Sequence, residues 1–140
     1  MADYRLLAAI LLSIFIVQFV KVAIFMIKYK KRFHVNDIFV TGGMPSSHSA
    51  LVCSLATGIY FMSGLSVVFV ISLVLALIVL RDAYGVRRTV GNEGMIINKI
   101  IEKTRLKIPE MHYSQGHKPS EVLVGSAIGI VISYVIFALL

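Results

Sequence analysis

The sequence predicts an all-α fold: an integral membrane helical bundle of about four transmembrane helices plus one interfacial amphipathic helix. Three observations carry that prediction. Of the 140 residues, 58% are hydrophobic and only 15% charged, with a mean hydropathy of +0.87, a balance that suits lipid as the main solvent. The 32 residues from Ser49 to Leu80 are hydrophobic apart from a few serines, a threonine and glycines. They are too long for one comfortable crossing, which takes roughly 20 residues at about 1.5 Å each, and Ser63-Gly64 breaks them near the middle into a hairpin. Two further apolar stretches flank this hairpin, Leu6 to Ile27 and Val122 to Leu140. Residues 1–140 are expected to form one membrane-embedded domain.

Charge orients the bundle. Of the 14 Lys and Arg, only Arg5 lies near the far end, and the hairpin tip carries none. By the positive-inside rule the loaded face is cytoplasmic, which predicts a protein of the cytoplasmic membrane with its polar motifs on the cytoplasmic face. The net charge of +7 would suggest nucleic acid in a soluble domain. Here the basic residues cluster beside apolar helices, so the lipid bilayer is the expected partner and nucleic acid is not. The single Cys53 lies in an apolar helix and excludes a disulfide framework or a cysteine metal site. Four short helices bury little surface, which leaves room for a homodimer.

Leu6 to Ile27, 22 residues or about 33 Å of helix, is interrupted only by Ser13, Gln18 and Lys21. It has no small-residue cleavage site and runs too long for a signal peptide, so it reads as an anchor. Gln18 and Lys21 share one helical face. Lys21 is either a functional group at depth or a lysine snorkelling to the interface. The run Lys28 to His34 is a basic orientation signal, with His34 a surface histidine.

Asn36 to Gly43 is a loop ending Thr41-Gly42-Gly43, where glycines permit unusual backbone angles. Pro45 suits the first turn of the next helix, with Ser46 or Ser47 satisfying its free amides. Such a helix start is either an ordinary N-cap or, with Ser46, Ser47 and His48 around it, a phosphate site.

After the hairpin, Arg81, Asp82, Arg87 and Arg88 are expected at the helix end and just beyond it, with Gly85 as the stop. The arginines read as a positive-inside anchor or as a clamp whose planar forks match phosphate oxygens. Asp82 calls for a partner such as Arg87 or Lys21. Asn92 to Lys107 carries Met95, Ile96, Ile97, Ile100, Ile101 and Leu106 against Lys99, Glu102, Lys103, Arg105 and Lys107, the pattern of an amphipathic surface helix. Pro109 ends it, and Glu110 to Gly116 is a polar loop holding His112. If the last helix includes the turn at His117, then His117 and Glu121 stack, and the carboxylate holds the imidazole in one tautomer. Gly125 and Gly129 form a small-xxx-small face for close helix packing.

In this topology the end of span one, the start of span two, the end of span three and the start of span four share a face. Lys21, Ser46 to His48, Asp82 with Arg87 and Arg88, and His117 with Glu121 therefore converge. A histidine braced by a carboxylate suits a nucleophile, and a second histidine suits a general acid, which together describe phosphoryl transfer through a phosphohistidine. The cations and helix amides meet the charge of the transferring group, so no metal or other cofactor is called for.

At these residues the chain resembles the type 2 phosphatidic acid phosphatase superfamily, and specifically its small divergent branch of acid phosphatase/vanadium-dependent haloperoxidase-related membrane proteins. The resemblance rests on Thr41-Gly42-Gly43-Met44-Pro45-Ser46-Ser47-His48-Ser49-Ala50, Asp82-Ala83-Tyr84-Gly85-Val86-Arg87-Arg88 and Gly116-His117-Lys118-Pro119-Ser120-Glu121-Val122-Leu123. Pro45-Ser46-Ser47-His48 is similar to the superfamily's Pro-Ser-Gly-His, which implies His48 as general acid. His117 to Glu121 is similar to its His-x-x-x-Asp with Glu replacing Asp, which implies His117 as nucleophile and Glu121 as its orienter. Its first motif, a lysine followed by Arg-Pro, looks like Lys21 with Lys28-Tyr29. The Ser-Arg pair expected before the nucleophile stands here as Glu110-Met111, and topology offers Arg87 or Arg88 as the replacement cation.

These readings together predict a lipid-phosphate phosphatase that hydrolyses a phosphomonoester or pyrophosphate on a membrane lipid, with phosphatidylglycerophosphate or phosphatidic acid favoured. The catalytic candidates are His117, His48 and Glu121; the phosphate-binding candidates are Lys21, Ser46, Ser47, Asp82, Arg87 and Arg88. The competing expectation is a non-enzymatic membrane protein that binds anionic lipid head groups on the same scaffold. A transporter subunit fits less well, because spans two and three lack a polar stripe.

Overall fold

A computed structural model describes residues 4–29, 43–104, 107–110, 113 and 116–140. Among these the chain forms five helices and no strand: α1 (Tyr4–Tyr29), α2 (Ser47–Ser63), α3 (Val67–Tyr84), α4 (Val86–Thr104) and α5 (Pro119–Leu139). Three stretches, Tyr4–Ile27, the run that begins with α3, and Pro119–Leu139, are long and apolar enough to cross a membrane. The 17 residues of α2 make a shorter helix of about 26 Å. The chain is thus the expected integral membrane bundle, with α4 as its strongly amphipathic member.

α2 is the inner helix and packs against α1, α3 and α5, whereas among the described helices α4 packs only against α3. Small residues make this possible. Along α1, Ala9, Ser13, Val17 and Lys21 are buried at four-residue spacing, one stripe facing the bundle. Leu7, Leu11, Phe15 and Phe19 point outward, as side chains solvated by lipid do. The hairpin turns where Gly64 adopts a φ of 59°, a left-handed angle that suits glycine. Ser66 caps the next helix by accepting from the Phe69 N–H at 3.2 Å, and the Ser63 and Ser66 hydroxyls bond at 2.8 Å.

α2 and α5 run parallel, in contact at three successive four-residue steps. A side-chain carbon added at Gly125 would collide with the Ser46 main chain, and one at Gly129 with the Ala50 main chain. One step further, the Ser133 hydroxyl donates to the Ser54 carbonyl at 2.8 Å and lies 2.9 Å from the Ser54 hydroxyl. Interhelical hydrogen bonds of this kind contribute about 0.6 kcal/mol each in a membrane. Gly125 and Gly129 therefore do the close packing that their spacing predicted.

Three expectations shift. Pro45 lies before the cap and not in the first turn: Ser46 is the N-cap and the helix begins at Ser47. The amphipathic helix starts at Val86, not Asn92, directly after α3. Gly85 ends one helix, and its carbonyl accepts from the Thr89 N–H at 3.0 Å to open the next. Arg87 and Arg88 consequently occupy the first turn of α4 and do not extend the end of α3. The basic run after Lys28, His34, the loop through Gly42, and His112 lie outside the described residues, as does Arg105-Leu106; the described helix ends at Thr104.

Candidate active site

One end of the bundle collects an end of every helix. α1 brings Lys21 there as the last residue of its buried stripe, 7% exposed and close enough to Glu121 for ammonium and carboxylate to attract. α2 begins there because Ser46 caps it. The Ser46 hydroxyl accepts from the Ser49 N–H at 3.4 Å and from the Ser49 hydroxyl at 2.8 Å, and the residue is fully buried. Ser46 thus turns its hydroxyl inward. Helix geometry leaves the N–H groups of Ser47 and His48 without intrahelical partners, at the positive end of the α2 dipole.

His117 sits just before α5, outside the helical turn. Lys118 is the N-cap, Pro119 takes the first helical position, and Glu121 at the third turns back to the Lys118 N–H. The Glu121 carboxylate accepts from the Lys118 N–H at 3.1 Å and lies 3.2 Å from His117 Nδ1, both through Oε2. The expected pair forms, but through a cap and not by stacking in a helix. His117 is 7% exposed, and its own N–H donates to the Ala83 carbonyl at 3.0 Å. That bond ties the loop to the end of α3.

Two more main-chain contacts fix the arrangement. The Ser46 N–H donates to the Glu121 carbonyl at 3.1 Å, joining the starts of α2 and α5. Gly116 lies so close to the Arg87–Arg88 main chain that any side chain there would overlap it. The loop carrying His117 therefore rests directly on the first turn of α4.

Arg87 Nε donates to Asp82 Oδ2 at 2.5 Å, so Asp82 has the partner its position called for. The pair is half-exposed and adds little to stability. Its relevance is its neighbour: His48 feels the charges of Arg87, His117, Lys21 and Asp82 together. Desolvation first, then Arg87, His117 and Lys21, hold the His48 pKa below its ordinary 6.5, against the opposing pull of Asp82.

The structure thus brings Lys21, His48, Asp82, Arg87, His117 and Glu121 into one electrostatic neighbourhood. Ser47 stands at its edge as the first residue of α2. Arg88 contributes its main chain under Gly116 while its side chain is exposed. Sequence reasoning gave no role to Ser49, Ala83 or Gly116. Ser49 lies three residues after Ser46, the spacing of a cap and its recipient, and was the legible one; Ala83 and Gly116 act through main chain and carry no side-chain signal.

This arrangement can hold a compact anion between cations and helix amides, beside an imidazole whose Nδ1 is engaged by a carboxylate. Residues 2–132 match the model of the Divergent PAP2 family. An uncharacterized membrane protein, YuiD, from Bacillus subtilis (strain 168) is 34% identical, the match covering 97% of this chain and 95% of that protein. No solved structure matches.

Proposed function

The chain belongs to the Divergent PAP2 family, and from that premise we propose that it is a lipid-phosphate phosphatase working through a phosphohistidine, with its site on the cytoplasmic face. The observation that carries the proposal is the His117–Glu121 pair at 3.2 Å, set among Lys21, His48 and Arg87. With Nδ1–H donating to the carboxylate, the lone pair of Nε2 is available for attack.

In the first step Nε2 bonds to phosphorus while the phosphorus–oxygen ester bond breaks, and His48 gives its proton to the departing lipid alkoxide. In the second, His48 takes a proton from water, whose oxygen bonds to phosphorus as the phosphorus–nitrogen bond breaks. Lys21, Arg87 and the amides at the start of α2 meet the charge that spreads over the phosphoryl oxygens. Desolvation and the neighbouring cations bias His48 to neutral, and a phosphate dianion beside it raises its proton affinity, so substrate itself arms the acid. Asp82 orients Arg87. Arg87, not Arg88, is the cation beside His48, which makes it the replacement for the arginine whose place is taken by Met111. Phosphatidylglycerophosphate and phosphatidic acid are the favoured substrates because their phosphomonoesters are presented on that face.

Glu110-Met111 in place of Ser-Arg is the feature that favours the second reading, a head-group binder without turnover. Phosphate release by the purified protein from a panel of lipid phosphates, in chelator and with His117→Ala alongside, decides between them. The phosphatase reading expects release that tolerates chelator and falls about 10⁴-fold or more in His117→Ala, the scale on which removal of a covalent nucleophile acts. Head-group binding in both forms with release in neither would leave the binder.

A further inference from the structure

Resting on the site proposed above, we infer that a groove between α2 and α3 holds one hydrocarbon tail of the anionic lipid whose head group that site takes. The groove has an empty volume of about 760 Å³ and is lined by Cys53, Thr57 and Tyr60 of α2 with Phe69, Ala76 and Leu80 of α3, and Ile130 of α5 borders it. On each helix these positions fall on one stripe, spaced to share a face. Followed toward the site, the α2 stripe next reaches Ser49, four residues before Cys53, which bonds to the Ser46 cap. The α3 stripe next reaches Ala83, three residues after Leu80, whose carbonyl holds the His117 N–H. The near end of the groove therefore lies about one helical turn from the loop that carries His117. Its far end closes where the Tyr60 and Phe69 rings pack at 5.3 Å.

The shape selects the occupant. From Phe69 to Leu80 the helix rises about 16 Å, so an empty volume of about 760 Å³ corresponds to a mean cross-section of at most about 47 Å². A helix about 10 Å across needs about 80 Å², so a second protein helix does not fit, whereas a single extended alkyl chain does. Ala56 and Ala76, buried in the core between α2 and α3, make the hollow by being small.

A tail stays in hydrocarbon whether or not it enters the groove, so entry removes nothing from water. What the groove supplies is direction: it lines the phosphate ester up with His117, where a misplacement of about 1 Å can lower the rate 10²-fold.

The chain contains no tryptophan, which makes a single introduced one a clean reporter. Leu77→Trp places it in the groove, at a position 58% exposed, and Ile71→Trp places a control on the outward side of α3, 64% exposed. Both are made in His117→Ala protein, to keep the probe intact, and reconstituted in phosphatidylcholine vesicles with brominated tails on either phosphatidic acid or phosphatidylcholine. The expected result is saturable quenching of Leu77→Trp at low fractions of brominated phosphatidic acid, abolished by Lys21→Met. Brominated phosphatidylcholine is expected to quench Leu77→Trp, and either lipid Ile71→Trp, only in proportion to its fraction. Proportional quenching of Leu77→Trp by both lipids would overturn the inference, and so would shielding from both, which would mean that protein covers the groove.

Turnover separates this inference from the reading it rests on. Saturable quenching without phosphate release from His117-containing protein would keep the groove and remove the phosphatase. Thr57→Phe, which fills the groove without touching a charged side chain, is expected to slow release from long-chain phosphatidic acid roughly tenfold while sparing a short-chain, water-soluble phosphate ester. Equal rates on both substrates, or equal slowing of both, would remove the groove and keep the phosphatase.

Discussion

At one end of the bundle main chain meets main chain, and at the other ring meets ring. Around His117 the helix ends are joined by the Ser46 and His117 amides to the Glu121 and Ala83 carbonyls, and by glycines at 116 and 125 pressed onto neighbouring backbone. At the hairpin tip, Phe61 packs on Phe137 at 5.6 Å and Tyr134 at 5.8 Å, and Arg5 lies 5.0 Å over the Phe137 ring. The first construction joins its helices through main chain and spends only the Ser46 and Glu121 side chains on caps, which leaves cations and imidazoles for a ligand. The second spends its aromatic side chains on packing and leaves an end suited to the membrane–water boundary.

The contrast makes unequal demands on mutation. Gly125→Leu is expected to have the largest effect, because the added atoms drive α2 from α5 at Ser46. Overpacking of this kind costs about 1–3 kcal/mol or more, and here it also displaces the cap of α2. Loss of folded, monodisperse protein in detergent, together with all turnover, is the expected outcome; a folded variant with normal turnover would break the comparison. Glu121→Gln comes next. Glutamine still accepts the Lys118 N–H but removes the negative charge that faces the buried Lys21, so thermal stability in detergent should fall by about 1–3 kcal/mol. On the phosphatase reading, neutralising the carboxylate beside His117 should lower kcat by about 10²–10⁴-fold with KM little changed. At the other end, Phe137→Leu should lower stability by about 1 kcal/mol and leave kcat within about twofold. A larger kinetic effect there would show that the ends are coupled.

The main-chain end was also the harder to read from sequence. Ser63-Gly64 announced the hairpin because a glycine between two apolar runs marks a turn, and Gly125 with Gly129 announced a packing face by spacing alone. The convergence of Lys21, His48, Asp82, Arg87 and His117 followed from topology, since a hairpin must return to the face it left. What stayed hidden was local. Gly85 reads as a stop, and Val86 and Val90 alone are too few apolar positions to extend the amphipathic pattern back from Asn92, so the early start of α4 was hard to see. With it went the distinction between Arg87, turned toward Asp82 and His48, and Arg88, whose main chain seats Gly116. Ser54 and Ser133 looked like incidental hydroxyls because each finds its partner 79 residues away.

The smallest effect expected probes the electrostatics of the site end alone. His48 titrates below 6.5 in the folded protein, through desolvation and then Arg87. Between that lowered value and 6.5 the unfolded chain binds the proton more readily than the folded one, so stability rises with pH through this window and is fully present above it. Arg87→Gln removes the largest charge that disfavours the imidazolium, so the His48 midpoint, followed by ring-proton NMR, should move up and the window should narrow. Asp82→Asn removes the opposing charge and should move the midpoint down. A Phe137→Leu change at the ring end should not move it at all. If Arg87→Gln left the midpoint in place, Arg87 would not face His48 in the folded protein, and the site would lose the cation assigned to meet the phosphoryl oxygens.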